Sequence, residues 1–140
     1  MIYVESSALL ELYLGQARAQ DVRSILATPE EKVTSWVLAI EVPVVLRRVG
    51  ASGLVDRDTL EALLSRFDAD LARLSLRSDI ERVAARVRLD SRLARRRSLD
   101  AIHVASALLL REETGLPVVV ATLDDRVREV ALSVGLAVIP

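Results

Sequence analysis

The chain contains no cysteine, and this excludes disulfides, thiolate nucleophiles, iron–sulfur clusters and Cys-ligated zinc. A single histidine, His103, cannot build a multi-histidine metal centre, and a single lysine, Lys32, leaves no P-loop lysine. None of the five glycines falls into a G-x-G-x-x-G or G-x-x-x-x-G-K spacing, so the usual nucleotide phosphate cradles are absent. Four aromatic residues, Tyr3, Tyr13, Trp36 and Phe67, are too few for the stacking platforms of many single-strand binders. Neither sign of charge dominates: 19 Lys and Arg face 20 Asp and Glu, a net charge of −1 that gives no overall preference for nucleic acid or an anionic membrane. The apolar run Val33 to Leu46 is interrupted by Glu41 and Pro43 and falls short of the roughly 20 residues that a membrane span requires. No basic stretch precedes the first apolar run, so no secretory signal and a cytoplasmic location are expected.

What is present suits one domain. In 140 residues, 51% are hydrophobic and 28% charged, enough apolar surface for a substantial core. Ile2 to Val4 reads as a strand, with Ser6 or Ser7 offering a cap to a helix over Ala8 to Leu14. A second helix is predicted over Asp21 to Ala27, a short strand over Lys32 to Thr34, and a helix capped by Ser35 that Pro43 should loosen and that Gly50 to Gly53 should close. Leu60, Leu63, Leu64, Phe67 and Leu71 mark an amphipathic helix over Asp56 to Leu71. Arg73 to Leu76 reads as a strand, Asp79 opens a helix, and Ser98 caps another that ends at Gly115 and Pro117. Val118 to Leu123 is a buried strand, Asp124 begins the last helix, and Ala137 to Ile139 closes the chain. Strands alternating with helices, without hairpin signals, predict an α/β fold with a parallel sheet covered on both faces, in one domain over residues 1–140.

Chemistry must then come from carboxylates, hydroxyls and arginines. Glu5 and Asp124 each follow a predicted strand, where ligands bind in open parallel sheets. Glu41 is the only charged residue between Lys32 and Arg47, and burial would demand a partner for it. Asp100 stands at a helix start, whose dipole favours an anion. Taken singly, each acid reads more readily as an ordinary cap or a solvated residue than as a site, and His103 as a core or near-site histidine rather than a ligand. Between Arg82 and Arg97, seven arginines face the single acid Asp90, and Arg95, Arg96 and Arg97 read as a solvated turn more readily than as a binding patch.

Together the segments are more specific. Ile-Tyr-Val-Glu5-Ser-Ser-Ala-Leu, then Thr-Ser-x5-Glu41, then Arg-Ser-Leu-Asp100-Ala-Ile-His-Val-Ala-Ser-Ala, then Ala-Thr-Leu-Asp124-Asp-Arg-Val resemble the PIN-domain family along essentially the whole chain, and within it the VapC-type ribonuclease toxins of toxin–antitoxin pairs. The resemblance implies a central parallel sheet of four to five strands flanked by helices. It further implies an acidic cluster of Glu5, Glu41, Asp100 and Asp124 that binds Mg²⁺ (or Mn²⁺), RNA as substrate, whose phosphates Arg95, Arg96 and Arg97 are then expected to steer, a VapB-like antitoxin as partner, and a homodimer. Hard oxygen ligands suit Mg²⁺, which supports hydrolysis without a His or Lys base. The family usually carries aspartate where this chain has Glu5, so a weakened or inactive PIN-like module that binds RNA or protein is the alternative. A receiver or haloacid-dehalogenase-like phosphatase would need an aspartate nucleophile and usually a lysine, where this chain has Glu5 and only Lys32.

Overall fold

The computed structural model describes residues 1–140. The elements run β1 (Ile2–Val4), α1 (Ser6–Tyr13), α2 (Ala19–Leu26), β2 (Lys32–Ser35), α3 (Leu38–Ala51), α4 (Arg57–Leu71), β3 (Ser75–Arg77), α5 (Ile80–Leu89), α6 (Ser91–Ala94), α7 (Ser98–Thr114), β4 (Val119–Ala121), α8 (Asp125–Ser133) and β5 (Ala137–Ile139). All five strands are parallel in the order β3-β2-β1-β4-β5, as expected of an α/β fold without hairpins.

Side chains alternate across β1, and the two faces feed two cores. Ile2 and Val4 join Leu9, Leu12, Leu38, Leu46 and Phe67 beneath α1 to α4. Tyr3 points the other way, into a core with Leu93, Val104, Leu108, Val120 and Val130 beneath α5 to α8. The connection leaving β1 therefore runs over one face of the sheet and that leaving β4 over the other. Adjacent strands whose connections diverge open a crevice at their carboxyl ends, and here it lies between β1 and β4.

Several local expectations are corrected. Neither Ser6 nor Ser7 caps α1: the cap is Glu5, whose side chain accepts from the Ser7 amide. Ser35 lies in β2, held there by pairing opposite Arg77, and α3 starts later behind Val37 without a side-chain cap. α3 also runs through Gly50, where a Cβ would come within 2.7 Å of Leu60 Cδ2, so glycine permits the close approach of α4. Ser98 is the first residue of α7 rather than its cap. β3 sits at Ser75–Arg77, β4 is confined to Val119–Ala121, and the four-residue α6 was not foreseen. No helix is long and apolar enough to cross a membrane.

Candidate metal centre at the end of the sheet

β1 delivers two groups to the crevice. Tyr3 and Glu5 are two residues apart and share a face, so both approach α7 from the sheet. On α7 a spacing of three places Asp100 and His103 on one side of the helix. α3 contributes Glu41 from the opposite wall, and the chain leaving β4 contributes Thr122 and Asp124.

Glu5 is 5% exposed. Its Oε2 accepts from Thr122 Oγ1 at 2.7 Å, from the Ser7 amide at 3.0 Å and from the Ser7 hydroxyl. Ser7 Oγ in turn accepts from the Leu123 and Asp124 amides at 2.8 and 3.1 Å, fixing the turn after β4. Glu5 Oε1 receives no protein hydrogen bond and lies 3.9 Å from His103 Nε2. Glu41 repeats the arrangement. Its Oε2 accepts from Ser6 Oγ at 2.5 Å and lies 2.7 Å from His103 Nε2, while Oε1 has no protein donor. Burial would raise the Glu41 carboxyl, but the hydrogen bond and attraction of His103, with the Ser6 hydroxyl, hold it below the usual carboxylate range.

Ligand atoms of Glu5, Glu41 and His103 all lie within 4.8 Å of one another. Asp124 lines the same cavity, of about 510 Å³, together with Leu10, Trp36, Ile40 and Val44. Its Oδ1 caps α8, accepting from the Arg126 and Val127 amides at 2.7 and 3.2 Å. Asp100 stands outside the tight trio but within electrostatic reach of Asp124. Desolvation and then the Asp124 charge push its carboxyl above the usual range, against Arg97, Arg126 and His103. Glu5, Glu41 and Asp124 thus line one cavity, Asp100 acts on it through Asp124, and each of the two glutamates keeps one oxygen free of protein donors. Two carboxylate oxygens without donors, beside a further pair of acids that repel one another, are a donor set suited to a hard divalent cation.

The arginine stretch looks different in space. Arg82 pairs with Glu113, Arg86 with Glu112, Arg92 with Asp90, and Arg96 with Glu129 at 3.1 Å. Arg95 and Arg96 border a separate surface hollow with Ser91, Arg92 and Ser133, whereas Arg97 immediately precedes α7 and acts on Asp100. Sequence reasoning did not single out Tyr3 and Thr122, and it left His103 between core and site; the Asp100-x-x-His103 spacing was the one available signal for the histidine.

A model of the PIN domain matches residues 2–132. The chain is 31% identical over 145 residues to Ribonuclease VapC46 of Mycobacterium tuberculosis (strain ATCC 25618 / H37Rv), covering 99% of this chain and 95% of that protein. Its fold is similar to that of the crystal structure of FitAcB from Neisseria gonorrhoeae, with a TM-score of 0.63 over 100% of this chain and 97% of the other, at 16% identity. The chain belongs to the PIN-domain family, as one of its VapC-type members.

Proposed function

We propose that the protein is a metal-dependent endoribonuclease toxin that hydrolyses RNA phosphodiesters and is restrained by a VapB-like antitoxin in the cytoplasm. The observation that carries this reading is the pair of anchored glutamates at the β1/β4 crevice, each with one carboxylate oxygen left over, with an Asp100 nearby whose charge is disfavoured by burial and by Asp124. Glu5, Glu41, Asp100 and Asp124 are the residues that would hold Mg²⁺ or Mn²⁺. Bound there, the cation supplies a polarised water and offsets negative charge on the leaving oxygen.

The protein's own groups prepare the site. Thr122 and Ser7 fix Glu5, Ser6 and His103 fix Glu41, and the α8 amides fix Asp124, so the acids are oriented before a cation or substrate arrives. Arg97, which acts on Asp100, offers a positive charge for an RNA phosphate. From the acids, the cavity continues over the exposed apolar side chains of Ile40, Val44 and Leu99 to Arg48. Such a strip suits the apolar face of an antitoxin segment, whose own basic groups could reach the carboxylates. We also expect two copies to pair as a homodimer.

The similarity to Ribonuclease VapC46 supports the nuclease reading. Incubation of RNA with the purified protein and Mn²⁺ or Mg²⁺ should give cleavage that chelator abolishes and Asp100→Asn nearly eliminates. RNA binding without cleavage, at equal strength in the parent and Asp100→Asn proteins, would instead favour the non-catalytic module.

A further inference from the structure

His103 is the least expected member of the site. It is 1% exposed, on a helix whose other buried residues are almost all apolar, and both of its ring nitrogens are engaged by side chains from other elements. Nδ1 lies 2.9 Å from the Tyr3 hydroxyl, while Nε2 lies 2.7 Å from Glu41 Oε2 and 3.3 Å from Ser6 Oγ. We propose, resting on the reading of the carboxylates as metal ligands, that Tyr3 and His103 form a buried positioning relay for Glu41, in which Tyr3 donates to Nδ1 and Nε2–H donates to Glu41, so that His103 orients a ligand without being one.

The direction of the relay follows from counting protons. The Ser6 hydroxyl proton is committed to Glu41 at 2.5 Å, so Ser6 Oγ presents only lone pairs to the imidazole. Nε2 therefore faces oxygen acceptors on every side: Glu41 Oε2, Ser6 Oγ and, farther off, Glu5 Oε1. A lone pair on Nε2 would be repelled by all three, whereas a proton there satisfies the closest. With Nε2 protonated, a neutral ring has its lone pair on Nδ1, and the Tyr3 hydroxyl meets it. Tyr3 is itself fully buried, so this contact is made inside the core.

The consequence is geometric. A glutamate on a helix has three side-chain torsions to fix, and ligands and catalytic groups must be held to within about 0.5 Å. Two donors on Oε2, from α1 and α7, pin Glu41 and aim Oε1 at the cavity. Because Glu5 follows directly on the strand that carries Tyr3, the relay also sets Glu41 relative to the first acid.

The tautomer can be read directly by ¹⁵N NMR of the imidazole in the intact protein. A protonated Nε2, before and after addition of Mg²⁺, is expected. An Nδ1–H tautomer, or loss of the Nε2 proton when Mg²⁺ binds, would overturn the proposal, the latter by making His103 a ligand. Calorimetry with Mn²⁺ alone supplies the second readout. His103→Leu should weaken binding by about tenfold or more, the usual effect of removing a group that orients a metal ligand. Tyr3→Phe should weaken it less, and His103→Gln, which keeps an N–H near the Nε2 position, should restore most of the affinity. Unchanged affinity in His103→Leu, or a glutamine variant as weak as the leucine one, would count against the relay. Should His103→Leu fail to fold, the Tyr3→Phe and His103→Gln affinities and the parent tautomer still decide. A parent protein that binds no Mn²⁺ would defeat the nuclease reading and remove the object of the relay. Parent binding that none of the variants alters would defeat the relay alone.

Discussion

Thr122 Oγ1 donates to Glu5 Oε2 over 2.7 Å, joining residues 117 apart in sequence at the floor of the crevice. The bond ties the end of β4 to the end of β1 and uses the length of a glutamate to do so. Aspartate is the better helix cap but is shorter by about one C–C bond, roughly 1.5 Å. Thr122→Val, nearly isosteric, leaves a buried carboxylate one donor short and should lower unfolding stability by about 1.5–3 kcal/mol, the range for hydrogen bonds to charged groups. Glu5→Asp should lose the same contact, so the double variant should be less destabilised than the two single losses added together. Urea unfolding of the four proteins checks this, and strict additivity would mean that the two side chains do not share the bond.

Asp100 should behave as a group that weakens the metal-free fold. Its folded-state carboxyl is raised by burial and by Asp124, so its ionisation is penalised relative to the unfolded chain. The associated stability is present while Asp100 is protonated and is lost as pH rises through the raised folded value. Asp100→Asn should therefore melt higher than the parent in chelator at neutral pH, and the gain should shrink as pH falls below that value and vanish once Asp100 is protonated in the unfolded chain as well. Glu41 has the opposite sign: its lowered carboxyl contributes stability at neutral pH that is lost as pH falls through the folded value. With millimolar Mn²⁺ the order of parent and Asp100→Asn should reverse, because a cation that binds only the folded state stabilises the parent by mass action. Melting curves with and without metal across pH read both effects, and an Asn variant that never exceeds the parent in chelator would contradict the placement of Asp100.

Much of this arrangement was legible in the sequence, for reasons that differ by element. α4 announces itself because Asp56 accepts from the Thr59 amide and its leucines repeat at helical spacing. Glu5, Asp100 and Asp124 stand out in the sequence because each closes or opens an element, and Glu41 because it is the one charge in an apolar stretch. β3 was misplaced because it is a short edge strand with Ser75 and Leu76 exposed, so burial imposes little pattern on its residues. α6 is four residues among arginines and carries one buried side chain, Leu93, too little for periodicity. The Tyr3–His103 and Glu5–Thr122 contacts could not be read, because they join residues 100 and 117 apart and exist only once β1, β4 and α7 have packed.

The arginine triplet should divide by function. Sequence alone makes Arg95, Arg96 and Arg97 one basic patch, but Arg96 faces Glu129 at 3.1 Å on the surface, and Arg95 borders the hollow beside it. Of the three, only Arg97 acts on Asp100. Arg97→Glu would place a third negative charge beside Asp100 and Asp124, so it should weaken RNA binding and Mn²⁺ binding together. It should also lower the slope of log affinity against log salt by about 1 if Arg97 contacts one phosphate. Arg96→Glu exchanges an exposed pair, worth about 0–1 kcal/mol, for a repulsion with Glu129 and should leave Mn²⁺ binding unchanged. Fluorescence anisotropy with a labelled RNA over a salt series, alongside calorimetry with Mn²⁺, separates the two. Equal losses of RNA affinity in both variants, with Mn²⁺ binding intact in both, would restore the triplet as one phosphate-binding patch and leave Arg97 no separate role beside Asp100.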